Sequence, residues 1–159
     1  MPIAHGGSGA AYRADVIGGQ ASPLTNEVFY VMQPGDRTTF VWMQGAEPIS
    51  LYCADETDGE SLRACEQVVE ALLSYEINGT AVQPGLATAC TPNADLTVYT
   101  CNLRQGVKFH DGSSLDANDV VVSWAVMWDA AHPLHTGNTG VFEYWALLWN
   151  SLLNPPPAE

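Results

Sequence analysis

Four cysteines, Cys53, Cys65, Cys90 and Cys101, carry the most definite chemistry in this chain. No two stand in C-x-x-C spacing, so neither the usual zinc clusters nor a thioredoxin-type redox pair fits. Two disulfides suit the even count and imply an oxidising compartment, because cytosolic thiols are kept reduced. Four buried free thiols are the competing reading. His110-Asp111 suggests acid–base or metal chemistry, but Asp before Gly112 is ordinary turn chemistry, and the turn is preferred. Ser113-Ser114 lies too close in sequence to His110 and Asp111 for a nucleophilic triad. His132 and His135 flank Pro133, which blocks the regular helix needed to bring both to one metal. They are read as surface-loop histidines. The acidic run Asp55-Glu56-Thr57-Asp58-Gly59-Glu60 lacks the alternation of a calcium loop and reads as a solvated loop ahead of a helix N-terminus. Asn78-Gly79-Thr80 fits a glycosylation sequon and a plain turn equally. No catalytic residue, no metal ligand set and no cofactor is expected, and the chain is not read as an enzyme.

The 159 residues that position these groups suffice for one domain, or one lobe of something larger. With 5 Lys+Arg against 18 Asp+Glu, the net charge is −13, which repels an anionic bilayer over most of the surface and excludes nucleic acid as a partner. No apolar run approaches the roughly 20 residues of a membrane span, and residues 1–20 lack the basic start and apolar run of a secretory signal.

Residues 1–38, rich in Gly, Ala, Ser and Pro, read as a tail or connector with one short strand at 28–32. Residues 39–154 carry the denser pattern, and Pro155-Pro156-Pro157 opens a Pro-rich tail, 155–159. Within the body, 39–43 is β-rich. Residues 60–75 place Leu62, Cys65, Val69 and Leu72 on one helical stripe. A turn follows at Asn78-Gly79, then a β-hairpin over 86–109 that reverses at Pro92-Asn93-Ala94-Asp95. Asp116, with Asp119 in the first turn, starts a helix to about 131 that buries Val120, Trp124 and Met127 or Trp128. A last helix at 141–152 carries Phe142, Tyr144, Trp145, Leu148, Trp149 and Leu152. The aromatic surface of these two helices is large enough to meet another subunit or a further part of a longer protein.

The order of segments from 39 to about 127 resembles the opening part of family 5 extracellular solute-binding proteins, the peptide and oligopeptide receptors of ABC importers. The resemblance rests on Gln44-Gly45-Ala46-Glu47-Pro48-Ile49-Ser50-Leu51, on Glu70-Ala71-Leu72-Leu73-Ser74-Tyr75-Glu76 and on Gln83-Pro84-Gly85-Leu86-Ala87. Its strongest elements are Val98 through Gly112, with Lys108-Phe109-His110-Asp111-Gly112 at the end, and Leu115-Asp116-Ala117-Asn118-Asp119-Val120-Val121. It implies an α/β (α+β) fold: a partial lobe of the type 2 periplasmic-binding-protein kind, with a β-hairpin and about three helices.

Where the family commonly has a Trp entering the hairpin and a Phe leaving it, this chain has Cys90 and Cys101, which implies a cross-strand bridge. By the same logic Cys53 pairs with Cys65. The function implied is a non-catalytic binding module for a peptide or other small solute. It would work outside the cytoplasmic membrane with an ABC permease or the remainder of the receptor. Gly45, Ala46, Glu47 and Pro48 would stand at the ligand cleft, with Glu47 either meeting a ligand amine or capping a helix. Receptors of this family are much longer chains, so a fragment or a separate piece is implied. The alternative is a structural fragment that forms a homodimer through its Trp-rich helices.

Overall fold

The computed structural model describes residues 9–24, 27–137, 143, 144 and 147. It is a mixed α/β arrangement in which, in chain order, two small antiparallel sheets follow one helix and precede another. The expected helix at 141–152 falls outside the described residues except for Glu143, Tyr144 and Leu147.

The first helix, α1 (Gly59–Cys65), starts where the acidic run predicts. Asp58 accepts from the Ser61 amide at 2.9 Å and from its hydroxyl at 2.9 Å, and Arg63 occupies the last turn. It ends ten residues short of the stripe read over 60–75. The β-branched pair Val68 and Val69 is more than half exposed, and residues 73–75 are taken by a sheet instead. Strand β1 (Leu73–Tyr75) pairs with β2 (Val82–Pro84) across a turn in which Asn78 adopts φ 61°. Gly85 then donates to the Leu72 carbonyl, and a Cβ there would stand 2.5 Å from the Ala71 carbonyl oxygen, so the crossing requires glycine.

Strand β3 (Ala87–Pro92) pairs with β4 (Tyr99–Leu103), with a register shift between Ala87 and Ala89. The expected hairpin is present. Its reversal spans 93–98, where the Asn93 carboxamide oxygen accepts from the Thr97 and Val98 amides and Leu96 takes φ 62°. The turn at His110-Asp111-Gly112 follows, with Gly112 at φ 88° and Asp111 accepting from the Ser113 amide. Helix α2 (Ala117–Trp128) begins with Asp116 and Asp119 in a reciprocal capping box. Val126 is its buried residue; Val120, Trp124 and Met127 are half-buried and Trp128 is exposed.

Two readings of strands are corrected. Residues 28–32 do not form a strand: Phe29–Val31 is a 3₁₀ turn. The backbone at 27–29 finds its partners in side chains rather than in a ladder. The Gln20 carboxamide both donates to and accepts from Val28, and the Gln67 carboxamide donates to the Glu27 carbonyl and accepts from the Phe29 amide. Residues 39–43 join no sheet among the described residues. Their alternation survives, with Val41 and Met43 outward at 83% and 92% exposure while Phe40 and Trp42 pack on Phe29.

Candidate functional site

Both bridges form: Cys53–Cys65 with Cα atoms 5.6 Å apart, and Cys90–Cys101 at 4.0 Å between facing positions of β3 and β4. No cysteine is free. The first bridge ties the start of the acidic loop to the end of α1, and that loop is not solvated as expected. Asp55 and Glu56 are buried, and Asp55 Oδ2 lies 3.1 Å from His135 Nε2, each side chain being 2% exposed. His135 Nδ1 lies 2.6 Å from the Val126 carbonyl oxygen. The histidine read as a surface residue is instead a buried tie. Proline at 133 shapes the turn that delivers it, and the sequence held no signal for a partner eighty residues away. His110 stays exposed at its turn, and among the described residues no group of three or more His, Cys, Asp or Glu could hold a metal.

The cleft lies where residues 9–24, 27–38 and 39–47 meet α1. Arg63, aimed from the last turn of α1, donates through Nε to Glu27 Oε2 at 3.0 Å and lies over the Trp42 ring at 5.5 Å. Its Nη1 donates to the Gln44 carboxamide at 3.4 Å. With side chains 14% and 7% exposed, Arg63 and Glu27 form a largely desolvated pair that fixes the connector against the helix. Trp42 is held between Tyr12 and Phe29, with ring centroids 5.8 and 5.1 Å away. Its indole Nε1 is buried and has no hydrogen-bond partner among the described residues. The Tyr12 hydroxyl donates to the Gln20 carbonyl, and burial raises its pKa against that bond and the pull of Arg63. Near the same arginine, partial enclosure of the Glu66 carboxyl raises its pKa, an effect that Arg63 opposes.

Two adjoining cavities share Trp42, Met43, Gln44, Gly45 and Arg63 in their walls. One, of about 680 Å³, opens toward Tyr12, Arg13, Arg37 and Glu60. The other, of about 610 Å³, is bordered by Gly45, Ala46 and Glu47. Of the four residues placed at the cleft from sequence, Pro48 lines neither cavity. Trp42, Arg63 and Glu27 were missed. The alternation of 39–43 puts Trp42 on the inner side, but nothing local pairs Glu27 with Arg63. The geometry offers a two-part, partly apolar recess with a few fixed polar groups in its walls.

The model of the bacterial extracellular solute-binding proteins, family 5 Middle, matches residues 81–143, the stretch that holds the β3–β4 hairpin and α2. Heme-binding protein A of Haemophilus influenzae is 32% identical over 67% of this chain and 21% of its own length. The dipeptide-binding protein of Escherichia coli is 38% identical over 46% of this chain and 15% of its own. A solved structure of the ABC transporter-associated periplasmic binding protein DppA from Helicobacter pylori, in complex with the peptide STSA, superposes with a TM-score of 0.53 and 30% identity. It covers 64% of this chain and 21% of that one. The chain thus covers between 15% and 21% of the length of these relatives, and over that part it resembles the family 5 extracellular solute-binding proteins.

Proposed function

We propose that this chain is a non-catalytic, peptide-binding part of an ABC importer's solute receptor, working outside the cytoplasmic membrane with a permease of that importer. The observation that carries this reading is the recess bordered by Gly45, Ala46 and Glu47 beside the fixed Arg63–Glu27 pair, in a chain whose hairpin and capped helix match the family. Relatives named for dipeptides, and a neighbour holding a peptide, favour a peptide as the solute. Glu47 is assigned the ligand's amine, with Gly45 and Ala46 letting the ligand backbone approach closely. Both disulfides suit an oxidising compartment, and among the described residues no helix is long and apolar enough to cross a membrane.

Calorimetric titration with di- and tripeptides tests the reading. Saturable binding by a monomer, weakened about ten-fold in Glu47→Gln as for loss of one charge-assisted bond, is the expected result. A chain that elutes as a tight dimer and takes up no peptide would instead be the interaction fragment.

A further inference from the structure

From Thr38 to Glu47 no backbone N–H or C=O takes part in a hydrogen bond among the described residues, although folded chains ordinarily pair such groups in sheets, turns or caps. The side chains of this stretch nevertheless follow a strand. Thr39, Val41, Met43 and Gly45 are exposed, whereas Phe40, Trp42 and Gln44 are half-buried, the two-residue period of a strand with one packed face. It is a strand edge that lacks only its neighbour. Native edges are usually blunted by Lys, by Pro or by a covering element, but from Thr38 to Ala46 there is neither a charge nor a proline. In a molecule of net charge −13, such a run lets a second copy approach without setting like charges in contact.

An open edge is self-complementary. Two copies related by a two-fold axis pair antiparallel, residue i meeting j while j meets i. With the axis at Trp42, Val41 faces the second copy's Met43 and Met43 faces the second copy's Val41. Two side chains that are 83% and 92% exposed in the single chain are then covered on the outer face. The same register sets Arg37 opposite the second copy's Glu47 at each end. Arg37 donates through Nε to the Pro34 carbonyl and through Nη2 to Asp15. Its Nη1 and the Glu47 carboxylate have no partner among the described residues. A slip of one residue would bring Asp36 or Thr38 opposite Glu47 instead, so charge selects this register.

We propose that residues 39–45 are the pairing edge of a homodimer, occupied by the same residues of a second copy of this chain, antiparallel about Trp42 and closed at both ends by Arg37 and Glu47. The dimer does not rest on the peptide-receptor reading. The two share Glu47, however, so a peptide whose amine takes that carboxylate releases the dimer. A short edge buries less than a standard interface, so the dissociation constant is on the order of 100 μM.

Sedimentation equilibrium of the intact chain, in about 0.15 M salt so that the distant acidic surfaces are screened, is combined with amide hydrogen exchange followed by NMR over a range of protein concentrations. Dimer is expected to grow with concentration, and alternate amides within 39–45 to gain protection in step with it, because only every second N–H of an edge strand faces its neighbour. Val41→Glu, at an outward position, should melt like the parent and dimerise at least about ten-fold more weakly, since it sets a carboxylate against Met43 in an acidic pair. Glu47→Arg should weaken the dimer by about ten-fold through like charges at both ends, and Arg37→Glu added to it should restore much of the loss. A chain still monomeric at about 1 mM overturns the proposal, as does a dimer in which the amides of 39–45 exchange as fast as in the monomer. Unchanged dimerisation in Val41→Glu overturns it as well. If tetraalanine protects 39–45 and no dimer forms at any concentration, the edge belongs to the solute: the peptide reading stands and this proposal falls. If the dimer forms through 39–45 and no peptide binds, the proposal stands without the peptide reading.

Discussion

Asp58 shows how one carboxylate fixes both a helix and part of the cleft. It caps α1 through the Ser61 amide and also holds the Ser61 hydroxyl, which in turn accepts from the Ile49 and Ser50 amides. A bond network of four groups thus locks the segment after the turn 45–48 onto the helix that carries Arg63. The bonds from Ser61, its backbone first, hold the Asp58 carboxyl below its ordinary value of 3.8. A depressed carboxyl stabilises the fold above its ordinary value, and that contribution is lost as pH falls through the lower, folded one. Asp58→Ala should therefore melt below wild type at pH 7, with the gap narrowing below about pH 3.8. Melting curves between pH 7 and 2.5 check this. A gap that stays constant over that range would mean that the charge contributes nothing to the cap.

At the scale of elements, the β3–β4 hairpin and α2 are local objects, which is why they were legible. Asn93 and Gly112 mark turns by residue type, Asp116 and Asp119 mark a helix start, and Cys90 and Cys101 face each other because an alternating ladder sets their register. The failures are equally physical. Residues 28–32 have strand composition, but the glutamines at 20 and 67 supply the hydrogen bonds that a neighbouring strand would have made. A propensity cannot see a side chain forty positions away. Residues 60–75 keep helical spacing, but pairing with 82–84 claims the last three. The Cys90–Cys101 bridge closes 11 residues across a hairpin with little buried side-chain surface, so it must carry much of that hairpin's persistence. Replacing both cysteines with alanine should cost about 2–4 kcal/mol, the usual worth of a native disulfide. Denaturant unfolding measures it. A loss well under 1 kcal/mol would show that the ladder and the Asn93 turn hold the strands unaided.

At the scale of the whole molecule, few apolar groups are buried. Among the described residues they are Met32, Cys65, Ala87 and Val126, so polar ties join distant parts of the chain. Glu27–Arg63 fastens the N-terminal segment to α1, and Asp55–His135 fastens the segment beyond α2 to the loop closed by Cys53–Cys65. The Tyr52 hydroxyl adds a bond to the Leu134 carbonyl, and Gly137 sits so close to the Tyr52 ring that a Cβ there would clash. Both nitrogens of His135 face oxygen atoms, Asp55 Oδ2 and the Val126 carbonyl. Removing His135 takes away its contact with Asp55 and its tie to the Val126 carbonyl, so His135→Ala should cost about 3–5 kcal/mol. Asp55→Asn should cost less in that variant than in the parent, because the contact it removes is already gone. Chemical denaturation of the two single variants and the double variant decides it. Losses that simply add would mean that the two side chains act independently.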